Sequence, residues 1–197
     1  MDQQQAKLKE LVKIISGFQS RSTIEAESEG SHHLLQIRDY SEDRNTIDVN
    51  SIIRFSPKSI REEQFLRGND IIFLAKGAKI FAQVPRHLPE QTIPASYFYI
   101  LRPMAEIDSE YVAWFLNRAN TRQWISRQSG AGAHMPVVRR GVLENLVINI
   151  PPKRTQGALV AVSQLINKEQ QLYTELAEKR AQYLNALCSQ IASQQVI

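Results

Sequence analysis

The chain has 197 residues, with 24 Lys+Arg against 20 Asp+Glu, so its net charge is +4, and 43% of its residues are hydrophobic. That apolar share suffices for a packed core and, with only 8 Gly and 8 Pro, excludes a disordered or collagen-like chain. Apolar runs such as 71–75 fall far short of the roughly 20 residues a membrane-spanning helix needs, so no membrane association is expected.

At roughly 100–200 residues per domain, one domain with an appended element is expected. Leu8, Leu11, Val12 and Ile15 recur at helical spacing and predict a short amphipathic helix over 5–15, ended at Gly17 by a left-handed C-cap. Residues 18–33 are polar and rich in Ser and Gly, which predicts a loop. Strands are expected at 34–38, 47–55 and 71–75. The turn at Lys76 and Gly77 should lead back along 79–84 as a β-hairpin. Another strand is expected at 96–101, with Tyr97, Tyr99 and Leu101 on one face.

Helical signals then return. Asp108 is placed to cap a helix over 109–119 whose buried stripe is Val112, Phe115, Leu116 and Ala119. Thr121 would cap a second short helix through Ile125, with Trp124 in the core. Residues 128–136 read as an exposed small-residue loop. Alternating Leu146, Ile148 and Ile150 predict a last strand, stopped by Pro151 and Pro152. From Thr155 to Ile191 there is no Pro, and apolar residues keep a helical period. A helix of about 36 residues is roughly 54 Å long, too long for its stripe to be buried by the preceding globule. Its polar breaks suit a coiled coil. The expected fold class is therefore α+β: a mixed globule, residues 1–154, followed by one long C-terminal coiled-coil helix, residues 155–197.

The charge is unevenly distributed. Residues 1–53 carry a net −3, residues 54–154 a net +7 and residues 155–197 a net 0. Of the 15 cations in the middle stretch 11 are Arg, whose planar fork of donors suits phosphate and the guanine edge. Residues 1–20 lack the apolar stretch of a signal peptide, and the lone Cys188 cannot form an internal disulfide, so a reducing cytoplasm is expected.

Catalytic templates fail one after another. There is no phosphate-binding loop, and Gly130 and Gly132 lack the third glycine of a dinucleotide fingerprint. The four His and one Cys show no metal-ligand spacing. The acidic and lysine pattern of many nucleases is missing, and Ile150 and Lys153 flank the Pro pair where an amino-methyltransferase has an amide or acid and an aromatic. The expectation is a non-enzyme with no catalytic residue, no metal and no cofactor of its own.

Several segments together resemble the specificity (S) subunits of type I restriction–modification enzymes. They are the opening 8–21; Leu35, Ile37 and Asp39, where the family has a strand ending in Asp; and Leu66, Gly68, Asp70 and Phe73 followed by Lys76 and Gly77. The stretch 111–116 follows, and then an end-of-domain signature: the Gly-rich 130–136, Val138, Leu143, Leu146, Ile148, Pro151, Pro152 and Gln156. A standard S subunit has two target recognition domains and two long helices in about twice this length, so this chain resembles a half-length form.

The resemblance implies a DNA-reading domain in 1–154, and in 155–197 a helix for dimerisation, spacing and methyltransferase docking. It implies double-stranded DNA, modification (methyltransferase) subunits, a motor–nuclease subunit and a second copy of the chain as partners. S-adenosylmethionine, ATP and Mg²⁺ would belong to those other subunits. The candidate DNA-binding residues are Arg21, Ser22, Lys76, Lys79, Ser96, Tyr97, Arg127, Ser129, Gly130, Gly132, His134, Arg139 and Arg140, which combine cations with small donors. Leu165, Leu172, Leu176, Tyr183 and Leu187 are the candidate dimer contacts. The alternative expectation is an S-subunit-like interaction module, a coiled-coil adaptor or anti-restriction decoy, that binds only protein. The remaining alternatives are a free-standing nuclease or methyltransferase, a remnant of a lost system, and a recognition domain broken off a longer chain.

Overall fold

Ile71, Ile72, Phe73 and Leu74 form a strand in which every side chain is buried. The computed structural model describes residues 4–20, 23–41, 46–77, 80–104, 106–129 and 137–194. Strand β1 (Gln4–Lys7), the single turn α1 (Leu8–Leu11) and β2 (Val12–Ser16) come first. They are followed by β3 (His32–Leu35), β4 (Tyr40–Ser41), β5 (Thr46–Ile47), β6 (Ile53–Phe55) and the central β7 (Ile71–Leu74). Next are β8 (Ala82–Gln83), β9 (Thr92–Pro94) and β10 (Phe98–Pro103). The chain then forms α2 (Ser109–Asn117), α3 (Ala119–Gln128), α4 (Arg140–Glu144), β11 (Val147–Ile150) and the 42-residue helix α5 (Lys153–Gln194).

The main sheet runs β2-β10-β7-β8, with each neighbouring pair antiparallel. Because side chains alternate across a strand, β7 serves two cores. Ile71 and Phe73 join Leu8, Leu101, Val112, Leu116 and Ile148 on the helical side. Ile72 and Leu74 join Leu35, Phe81 and Phe98 on the other. A smaller sheet, β6-β3-β9, packs Leu34, Phe55 and Ile93 into a third cluster. The antiparallel ribbon β1–β11 leads directly into α5.

The fold class is the expected α+β globule with a long C-terminal helix, and several local expectations are corrected. The helix predicted over 5–15 keeps only the turn Leu8–Leu11. Val12, Ile14 and Ile15 are β-branched, and pairing of β2 with β10 outweighs their helical spacing. Gly17 does not take the left-handed conformation. It is required for close approach, since a Cβ there would lie 2.6 Å from the Pro94 carbonyl oxygen. The strand expected at 47–55 is split by a 3₁₀ turn, Val49–Ser51, capped by Asp48. Tyr97 precedes β10 rather than lying in it. Asp108 caps α2 as expected, accepting from the Glu110 and Tyr111 amides. Thr121, however, is buried within α3 instead of capping it, and Trp124 is exposed rather than core. The turn α4 and the strand β9, which ends on Pro94, were not foreseen.

One ion pair is built into the interior. Asp70, almost wholly buried, receives both Nε (2.9 Å) and Nη2 (2.7 Å) of Arg102, and its Oδ2 also accepts the Arg67 amide at 2.8 Å. Arg102 Nη2 also donates to the Phe65 carbonyl at 2.7 Å. The root of α5 is fastened by Gln156, whose Nε2 donates to the Pro151 carbonyl and whose Oε1 accepts the Asp108 amide. Tyr111 donates its hydroxyl to the Asn149 carbonyl at 2.7 Å.

Two outcomes follow from this packing. Arg102→Ala leaves Asp70 as a buried charge without a counterion and is expected to cost about 3 kcal/mol in urea unfolding. Burial raises the phenol pKa values of Tyr99 and Tyr111 above the ordinary 10.0. The unfolded chain therefore gives up these protons first. Stability is full below pH 10 and falls as pH climbs from there through the raised folded values. Melting measured from pH 8 to 12 should show this loss, and Tyr111→Phe should reduce it.

Candidate nucleic-acid interface

Three backbone segments converge where β7 ends. The Ala75 and Lys76 amides both donate to the Tyr97 carbonyl, at 2.8 and 3.2 Å, and the Val138 amide donates to the Ala75 carbonyl at 2.7 Å. Lys76 and Val137 form an antiparallel bridge. Lys76, Tyr97 and Arg139 are thus held at one edge by main-chain bonds, with Ser96 half-buried beside Tyr97. Tyr97 and Val137 expose 37% and 43% of their surface, so this edge offers apolar as well as cationic groups.

Helix α3 carries the exposed Arg127 in its last turn. Its last turn is closed by Ser129, whose amide and hydroxyl both bond the Ile125 carbonyl. Ile125 shares a core cluster with Val138 and Leu143, so the two ends of the 130–136 segment are anchored in one body. Arg139 precedes α4 and is exposed. Arg140 bonds Glu144 one turn on at 2.7 Å, and its backbone lies against the Tyr99 hydroxyl. Among the described residues neither Arg127 nor Arg139 meets a carboxylate. Arg21, Ser22, Lys79, Gly130, Gly132 and His134 lie outside the described residues.

Sequence reasoning missed Arg38. The 3₁₀ turn Ile37–Asp39 is held by Asp39, whose buried carboxylate accepts the Gln36 amide (2.7 Å) and the Ser51 hydroxyl (2.9 Å). The turn leaves the Arg38 side chain mostly exposed, its Nε 3.9 Å from Asp39 Oδ1, and the Ile37 side chain lies beside Gly77 at the hairpin end. The signal was an Asp three residues after Gln36, a turn-stapling spacing that the strand expectation over 34–38 concealed.

The middle third's positive charge is not all at this edge. Arg102 is committed to Asp70, Arg86 to Glu110, Arg61 to Glu63, and Arg54 to the Gly30 carbonyl. Arg118 lies over the Trp114 ring at 5.2 Å. Among the described residues no three of His, Cys, Asp and Glu gather as a metal site. A cleft of about 350 Å³ between α2, β8 and α5 holds Arg86 and Glu110 as its ionised groups, already paired with each other.

The second surface is α5. Beyond Leu159 and Val160, which pack on the globule, its large apolar residues are exposed. The five expected dimer contacts are among them, from Leu165 at 70% and Tyr183 at 67% down to Leu187 at 38%, with Leu172 and Leu176 between. No helix among the described residues is long and apolar enough to cross a membrane.

Replacing Asp39 with Ala removes both bonds of its carboxylate. It should lower stability by about 2 kcal/mol and speed amide exchange at residues 36–39 and 48–51. Unchanged exchange there would mean that the turn is held by other groups.

No family model matches this chain, and no curated protein matches it. Solved structures do. The S subunit of the type I restriction–modification system from M. genitalium aligns over 100% of this chain and 47% of its own length, at 12% identity and a TM-score of 0.59. The HsdS subunit from Thermoanaerobacter tengcongensis aligns over 91% of this chain and 39% of its own, at 20% identity and a TM-score of 0.57. A chain from a structure of type I R-M complex assembly and conformational transition aligns over 93% and 43%, at 17% identity and a TM-score of 0.64. The chain therefore has the S-subunit fold, and it spans less than half the length of each of these three chains.

Proposed function

We propose that this chain is a DNA sequence-specificity subunit of a type I restriction–modification system. The observation that supports it most is the joining of two surfaces on the S-subunit fold. One is a cationic edge held by the Ala75–Tyr97–Val138 bonds, and the other is a helix with an exposed apolar stripe.

In this reading the globule, residues 1–154, reads a short half-site in the major groove. Arg38, Lys76, Arg127 and Arg139 neutralise phosphates or reach guanine edges, and Ser and Tyr hydroxyls donate to either. The helix is a spacer. Forty-two residues at 1.5 Å make a rod of about 63 Å, which matches roughly 18 base pairs at 3.4 Å each. A second copy, docked along the same helix, reads the same half-site in the opposite orientation, so the target is a split palindrome. The chain supplies the address and no chemistry. Modification subunits bring S-adenosylmethionine and methylate adenine, and the motor–nuclease subunit brings ATP and Mg²⁺. The setting is the cytoplasm.

Selection from a pool of random duplex DNA, with modification subunits co-purified, is expected to recover a split palindrome. Arg127→Ala and Arg139→Ala should each weaken binding and reduce the slope of log K against log salt by about 0.9 per lost phosphate contact. Arg86→Ala, whose partner is Glu110, should leave binding unchanged. If stable protein complexes form but no duplex sequence is enriched, the chain is the protein-only interaction module instead.

A further inference from the structure

The exposed stripe of α5 has its own period. Val162, Tyr173 and Leu184 recur every eleven residues, as do Leu165, Leu176 and Leu187. Together with Ala158, Glu169, Arg180 and Ile191 they form one seam with steps of three, four and four. Eleven residues in three turns is close to the natural α-helical period, so the seam stays on one side of a nearly straight rod. The globule is held by the other side, through Gln156, Leu159 and Val160. The seam contains two charged residues, Glu169 and Arg180, one repeat apart and of opposite sign.

We propose that, in the antiparallel pairing that the proposed function implies, a single register of α5 against the α5 of a second copy is chosen by Glu169 of each chain facing Arg180 of the other. This rests on the reading that a second copy is the partner, with its globule at the far end of the rod, and it adds the alignment. The steps of the seam read the same in both directions about the midpoint between Thr174 and Glu175. About that point Ala158 faces Ile191, Val162 faces Leu187, Leu165 faces Leu184 and Tyr173 faces Leu176. The two charged layers become two Glu169–Arg180 pairs. Sliding one helix by a full repeat keeps the seams matched, but it sets Glu169 against Glu169 or Arg180 against Arg180. A parallel pair does both at once. The charges therefore reject the alternatives that the apolar residues alone would tolerate. Leu172, Tyr183 and Ile166 border the seam and widen it. The register fixes the separation of the two globules, and so the spacing between the half-sites they read.

The test uses the full-length chain. By sedimentation equilibrium, Glu169→Arg and Arg180→Glu should each weaken the homodimer roughly tenfold or more, and the double exchange should restore it. In a Cys188→Ser background, Ala158→Cys with Ile191→Cys should oxidise to a dimer cross-linked between 158 and 191. These positions are about 50 Å apart within one helix, so that link must join two chains. A dimer insensitive to either charge reversal, or cross-linked 158 to 158, overturns the register and leaves the second copy as partner. A chain that stays monomeric at high concentration overturns both.

Discussion

The burial of β7 on both faces is the constraint on which the rest of the molecule depends. Ile71, Ile72, Phe73 and Leu74 each contribute about 2 kcal/mol by leaving water, but only if both faces are covered. The helical side is closed by α1, α2, α3 and β11, and the other side by β3, Phe81 and Phe98. Once that is done, the exit of the strand is fixed. Ala75 is buried too, so the chain meets solvent at Lys76, whose amide donates to the Tyr97 carbonyl while the Val138 amide donates to the Ala75 carbonyl. The cationic edge is a by-product of where a fully buried strand must end.

Electrostatics divides the arginines into two populations. Arg102 has surrendered its solvation to hold Asp70, which accepts the Arg67 amide, and by donating to the Phe65 carbonyl it ties the segment before β7 to β10. Arg54, Arg61 and Arg86 are similarly engaged. Among the described residues Arg127 and Arg139 are not, and the exposed Arg38 has only a 3.9 Å approach to the Asp39 carboxylate; the three stand on short turns or helix ends. A guanidinium held on a fixed backbone but left unpaired loses little on meeting a phosphate, whereas one in a buried pair would have to abandon its carboxylate first. The net +7 of residues 54–154 therefore overstates the charge available to an outside partner.

Some of this was legible in the sequence. Asp108 as a cap, the alternation of Leu146 and Ile148, and the uninterrupted helix after Pro152 are local signals, and the structure has all three. The opening was misread because Leu8, Leu11, Val12 and Ile15 satisfy a helical period while Ile14, which breaks it, pairs with Leu101 across the sheet. That pairing joins residues far apart in the chain and has no local signature. Trp124, expected in the core, is exposed because the inner side of α3 is taken by Thr121 and Ile125. At the candidate interface the residue types were readable, but their convergence was not. It arises from three backbone bonds among segments near 75, 97 and 138.

The long helix carries the argument furthest. Isolated helices are marginal in water, and most helical stability in proteins comes from tertiary packing. Helix α5 receives such packing at its root, through Gln156, Leu159 and Val160, and its later turns project away from the globule. Val162, Leu165, Ile166, Tyr173 and Leu184 each lie about half exposed or more on those turns, so the rod presents more apolar surface than a monomer can cover. Whatever binds that surface stabilises the folded rod by mass action, so rod order and assembly are linked to concentration. In the proposed pairing with a second copy, the order of the rod and the separation of the two globules would therefore be set together.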